Sequence, residues 1–146
     1  ILSASESPGI ISSTIGSNGS YKDLLTVNPD SDFIEMKGND VFKIAVNTMG
    51  KLAKDTLNSN NLSIDQIDWL IPHQANSRII NAIAKKLSLS DDKIIMTVGN
   101  HGNTSAASIP LAMDYAHDNG TLKQDDMILL EAFGAGFTWG STLLKF

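Results

Sequence analysis

Apolar positions recur at two spacings along this chain, and the spacing separates helices from strands. From Asn39 to Leu57 the residues Val41, Phe42, Ala45, Val46, Met49, Leu52 and Ala53 fall on one stripe at helical spacing. Asn39 or Asp40 is placed to cap that helix. A second helix is predicted over Ala75 to Leu87, with Ile79, Ile80, Ile83, Ala84 and Leu87 on its apolar side. A third, Thr104 to His117, carries almost no charge before Asp114 and contains Pro110, which predicts a buried helix with a kink or a lost hydrogen bond. Short apolar runs predict strands at Phe33–Met36, Asp65–Ile71, Lys93–Val98, Met127–Phe133 and Phe137–Phe146. The Ser-, Asn-, Asp- and Gly-rich stretch from Gly16 to Asp32 reads as a surface loop.

Strands alternating with helices indicate an α/β fold with a mainly parallel or mixed sheet flanked by helices. With 146 residues, 42% hydrophobic and 18% charged, the chain has the profile of one globular domain with a real core. A net charge of -5 argues against general nucleic-acid binding. No apolar run approaches the length needed to cross a bilayer. The absence of cysteine removes any disulfide framework, any Cys-based zinc site and any thiolate nucleophile from this chain. The N-terminus lacks a signal-peptide pattern, and the chain opens with Ile1 rather than Met, on what could be the end of a strand. Both features suggest a piece cut from something longer.

Candidate chemistry lies in three loops that follow predicted strands. They are Pro72-His73-Gln74-Ala75-Asn76, Gly99-Asn100-His101-Gly102-Asn103 and Phe133-Gly134-Ala135-Gly136. In α/β sheets, ligands bind beyond the carboxyl ends of the strands. The loops hold a ring donor on His73, an amide donor on Asn103 and Gly-rich backbone that permits close approach. Two converging neutral donors suit an enolate or oxyanion. The positive end of the following helix dipole disfavours a charged His73. On residue chemistry alone His73 is equally compatible with a satisfied core histidine, and Asn103 and Asn76 are both compatible with helix capping. Phe42 and Phe133 can be plain core residues, and Gly134 and Gly136 can make only a tight turn. His101 and His117 read as a loop residue and a helix end. No third ligand supports a His73/His101 metal site, so no metal is expected.

Three ordered motifs carry a family resemblance. Ile71-Pro72-His73-Gln74-Ala75-Asn76, His101-Gly102-Asn103-Thr104-Ser105-Ala106-Ala107-Ser108 and Glu131-Ala132-Phe133-Gly134-Ala135-Gly136-Phe137-Thr138-Trp139-Gly140 resemble the C-terminal motifs of bacterial β-ketoacyl-acyl-carrier-protein synthase III. Ser5–Ser20 and Gly38–Lys43 fit the same pattern. The resemblance implies that residues 1–146 are the C-terminal half of a thiolase-like fold, with the Cys-bearing N-terminal half absent.

In that family the Cys takes an acyl group from acyl-CoA. The His and Asn then bind the malonyl thioester on acyl carrier protein and stabilise its enolate as carbon dioxide leaves. His73 and Asn103 match those positions. Gly38, Phe42, Ala75, Asn76 and Phe133 match positions that line the pantetheine tunnel and active site. Lys43, Arg78, Lys85 and Lys86 match a basic patch that docks the acidic carrier protein. Arg78 and Lys85, seven apart, share a helical face, although such a face is also compatible with plain solvation.

The resemblance further implies a cytoplasmic homodimer without cofactor, acting in fatty acid initiation. Lacking the Cys, the fragment alone is expected to be inactive, and its uncovered apolar helix predicts self-association at roughly 25 cal/mol per Å² exposed. The alternatives are a stand-alone module that binds carrier protein or acyl thioester without catalysis, and a related polyketide starter synthase.

Overall fold

The computed structural model describes residues 3–7, 9–30 and 32–146. The expectation for a strand end at Ile1, and Ser31 within the predicted loop, lie outside the described residues. The main sheet has four strands in the order β1 (Ile10–Ser17), β6 (Thr138–Lys145), β5 (Met127–Gly134) and β4 (Trp69–Pro72). The β1/β6 and β6/β5 pairs are antiparallel and β5/β4 is parallel, so the sheet is mixed. A two-stranded ribbon joins β2 (Leu25–Thr26) to β3 (Glu35–Met36).

Helices cover both faces. On one side, α1 (Gly38–Ser59) and α2 (Ser77–Leu87) pack on the sheet through Met49, Ala53, Leu57, Ile83, Leu87, Leu70, Leu129 and Leu143. On the other, α4 (Ser108–Asp118) packs through Ala112 and Ala116 against Ile71, Ile95 and Ile128. Leu129 and Ile128 are neighbours in β5 yet enter different clusters, because a strand sends successive side chains to opposite faces. The mixed sheet flanked by helices is thus as the sequence implied.

Several local expectations require correction. The helix from Asn39 starts at Gly38, its N-cap is Lys37, and that cap makes no side-chain hydrogen bond; Asn39 and Asp40 lie inside the first turn. Asp40 there still complements the helix dipole. The predicted loop from Gly16 includes the end of β1, a 3-10 turn at Gly19–Leu24 and β2. β1 was invisible because its pattern is mostly exposed, and half-buried alternation is the signal that reveals a strand. The strand expected from Asp65 begins with a 3-10 turn at Ile64–Gln66 and is extended only over Trp69–Pro72.

The strand expected over Lys93–Val98 makes only a single parallel bridge, Ile94 to Leu70. It then leaves the sheet. The N–H groups of Thr97 and Val98 bond to the side chain of Gln74, at 2.8 and 3.1 Å, and the short α3 (Val98–His101) follows. The third helix divides into a 3-10 turn at Ser105–Ala107 and α4. Pro110 therefore stands in the first turn of α4, where its missing N–H is not needed. α4 is buried on one side only, at Ser108, Ala112 and Ala116, while Leu111 and Tyr115 are 37% and 45% exposed.

Candidate functional site

The parallel pairing of β4 with β5 brings the carboxyl end of each to the same edge of the sheet. There a cleft of about 790 Å³ opens, lined by His73 after β4, by Ser105 and Ala106 before α4, by Phe133 and Gly134 at the end of β5, and by Trp139 and Gly140 of β6. Its remaining wall is the end of β1, Ile15 to Ser17, and Ile15 is 89% exposed. Of the three predicted loops, Pro72–Asn76 supplies His73 and Phe133–Gly136 supplies Phe133 and Gly134, whereas Gly99–Asn103 supplies no lining residue.

His73 is half-buried and tied at two points. Its N–H donates to the Glu131 carbonyl at 2.7 Å, and its Nδ1 lies 2.6 Å from Ser108 Oγ. Among the described residues Nε2 is the ring nitrogen without a protein partner, and the cleft is what the ring lines. Burial lowers the pKa of His73 below the ordinary histidine value, because desolvation penalises the imidazolium. A neutral ring is what the sequence led us to expect, and burial acts in that direction.

Asn103 is exposed and does not line the cleft. Its Oδ1 accepts the Ser105 N–H at 3.0 Å, so the NH2 end of the amide stays available as a donor. The N-cap of the turn at Ser105–Ala107 is Thr104, so Asn103 is not its cap; it stands one residue earlier, with its carbonyl end tied to Ser105 and its NH2 end offered as a donor.

Of the residues matched to the pantetheine tunnel, only Phe133 lines the cleft, where its ring packs 4.7 Å from that of Phe137. Gly38 is exposed at the start of α1, and Phe42 is half-buried on the same helix. Ala75 N–H donates to the His73 carbonyl at 2.9 Å. Asn76 is the N-cap of α2, its Oδ1 accepting the Arg78 N–H at 2.8 Å. The capping reading of Asn76 thus holds.

Of the basic group, Lys43, Arg78, Lys85 and Lys86 are all exposed. Arg78 lies over the Phe42 ring at 5.8 Å, and Lys86 reaches Asn47 while its stem lies over Gly50. The ion pairs among the described residues are Lys51–Asp55 and Lys145–Asp125, so none of the four has a carboxylate partner. His101 and His117 make edge contacts with Tyr115 and Phe146. Among the described residues no cluster suits a metal ion.

Sequence reasoning missed three residues here. Gln74 is 1% exposed and uses its whole amide: Nε2 donates to the Pro72 and Ile95 carbonyls at 2.7 and 3.2 Å, and Oε1 accepts from Thr97 and Val98. It fixes the His73 loop to the segment that leads to Asn103. Ser108 holds the His73 ring from α4. Glu131 is buried within β5, and neither carboxylate oxygen has a partner among the described residues. Burial pushes its pKa well above the usual carboxylate range. An acid inside the apolar run Met127-Ile128-Leu129-Leu130-Glu131-Ala132-Phe133 was the signal that could have found it. Gln74 and Ser108 carry no such mark.

Comparison with known proteins places this geometry. Residues 57–146 match the family described as 3-Oxoacyl-[acyl-carrier-protein (ACP)] synthase III C terminal. The β-ketoacyl-[acyl-carrier-protein] synthase III proteins of Salmonella typhimurium (strain LT2) and Escherichia coli O1:K1 are each 52% identical over 153 residues, covering 100% of this chain and 48% of the relative. The crystal structure of 3-oxoacyl-[acyl-carrier-protein] synthase III from Aquifex aeolicus VF5 superposes with a TM-score of 0.94 at 39% identity, over 98% of this chain and 46% of that one. The chain thus spans about half the length of the curated relatives it matches. The His73 cleft lies at the strand ends of a chain that belongs to the 3-oxoacyl-[acyl-carrier-protein] synthase III C-terminal family.

Proposed function

We propose that this chain is the C-terminal half of a condensing enzyme that joins an acyl-CoA to malonyl-acyl carrier protein and so initiates fatty acid synthesis. The observation that carries the reading is the placement of His73: half-buried in the cleft wall and held at Nδ1, with Nε2 as the nitrogen left for the cleft and with burial lowering its pKa. A neutral donor stabilises a thioester enolate without giving up its proton. Asn103, with Oδ1 engaged and its NH2 end available, supplies the second donor. The enolate forms as carbon dioxide departs, and its carbon attacks the thioester carbonyl of an acyl-enzyme. The nucleophilic Cys for that acyl group belongs to an N-terminal half, since this chain has no cysteine. No cofactor enters the scheme.

The cleft wall of Ile15, Phe133 and Trp139 is apolar, which suits a pantetheine arm and a short acyl chain. Gly38, Phe42, Ala75 and Asn76 line the approach rather than the cleft in this reading. Arg78, Lys43 and Lys85, exposed and without carboxylate partners, form the face for an acidic carrier protein; Lys86, directed toward Asn47, is the weaker member. Among the described residues no helix is long and apolar enough to cross a membrane. We place the complete protein in the cytoplasm as a homodimer. The exposed Ile15, Leu111 and Tyr115 are the surface through which an isolated fragment would self-associate.

The test expresses the full reading frame that encodes this chain and separates the two half-reactions. His73→Ala and Asn103→Ala are expected to suppress decarboxylation of malonyl-acyl carrier protein while leaving acylation by acyl-CoA near the starting rate. Condensation at the unaltered rate by both variants would refute the assignment.

A further inference from the structure

Ser108 opens α4 and is 2% exposed. Two groups meet its hydroxyl: His73 Nδ1 at 2.6 Å and the Gln74 N–H at 3.2 Å. A backbone N–H can only donate, so Ser108 Oγ accepts from Gln74. A hydroxyl also has one proton to give. Among the described residues, the acceptor it meets is His73 Nδ1. If Nδ1 carried the proton instead, it would donate to Oγ, and the buried serine proton would have no acceptor there. That arrangement is disfavoured, because a buried donor left without a partner loses the hydrogen bond it had in water.

We propose that Ser108 is a positioning residue whose hydroxyl donates to Nδ1 and fixes His73 as the Nε2–H tautomer, so that the cleft is offered a donor and not a base. The other tautomer would aim an Nε2 lone pair at any developing oxyanion and repel it. Ser108 also sets the plane of the ring, since it reaches from the first turn of α4 to the loop after β4. The tautomer assignment follows from the hydrogen bonds alone; its catalytic consequence rests on the malonyl-binding reading of His73.

Long-range proton–nitrogen correlation spectra of the full-length protein, with labelled histidine and a His73→Gln variant for assignment, read the tautomer directly. The expected result at neutral pH is a protonated Nε2 and an unprotonated Nδ1. A proton on Nδ1, or on both nitrogens, would overturn the assignment. Kinetics of the half-reactions test the consequence. Ser108→Ala is expected to lower malonyl decarboxylation by about ten- to a hundredfold, the scale for a reacting group displaced by about 1 Å, without changing acylation by acyl-CoA. Ser108→Thr, which keeps the hydroxyl, is expected to recover most of the rate. Equal loss with Ala and Thr, or no loss with Ala, would exclude a role for the hydroxyl. If the tautomer is as assigned but His73→Ala leaves decarboxylation intact, the malonyl reading fails while the role of Ser108 in setting the tautomer stands.

Discussion

Replacing Glu131 by Gln should change how stability depends on pH, and the structure supplies the sign. Glu131 pairs with Ser141 on β6 and Pro72 on β4 in the sheet register. Neither relieves its carboxyl group: the Ser141 hydroxyl is bonded to Thr56 Oγ1 at 2.5 Å, and Pro72 has no N–H. With both oxygens unpartnered and buried, the carboxyl group of the folded state is held well above its ordinary pKa of about 4.5. The folded state therefore holds a proton that the unfolded chain releases once pH exceeds about 4.5. In that window folding must take up a proton, so stability falls as pH rises. The slope approaches about 1.4 kcal/mol per pH unit, which makes at most about 2.7 kcal/mol between pH 5.5 and 7.5, or roughly a hundredfold in the unfolding equilibrium. Gln keeps the shape and has no proton to exchange. Urea denaturation of the full-length protein at both pH values, compared between wild type and Glu131→Gln, isolates this group because other titrations are common to both. The variant should gain stability relative to wild type as pH rises. A difference that stays constant across the two pH values would show that Glu131 is ionised in the fold and would refute the argument.

Other perturbations have equally direct readings. Gln74→Leu leaves the N–H groups of Thr97 and Val98 and the carbonyls of Pro72 and Ile95 without their partner, and should destabilise the protein by about 3–6 kcal/mol, measured by chemical denaturation. Gly16→Ala would set a Cβ 2.5 Å from Trp139 Nε1 at the wall of the cleft; about 1–3 kcal/mol of destabilisation and a shifted tryptophan fluorescence are expected. Leu70→Ala, at a fully buried position of β4, should cost about 2–5 kcal/mol by the same denaturation assay. Charge reversal at Arg78 should weaken use of carrier-protein substrate and leave acyl-CoA use intact, and equal loss with both would speak against a docking role.

Helical periodicity located α1 and α2 within a few residues, because burial of one stripe repeats along the whole length of a helix. The apolar run of β5 and the motif around His73 were equally plain. Those features depend on neighbours in sequence, and the sequence by itself determined them, together with the family and the absence of a thiolate. Tertiary structure decided the rest. Whether Ile94–Val98 continued as a strand turned on one amide, Gln74, which sits 23 and 24 residues from the N–H groups it takes. Whether His73 is charged turned on its burial, and the placement of its proton on Ser108, 35 residues away. β1 was hidden because a largely exposed strand next to β6 needs no apolar alternation to hold its place. Hydrogen bonds between distant residues leave no period in a sequence, since a single donor or acceptor suffices at each end and only the folded chain brings the two together.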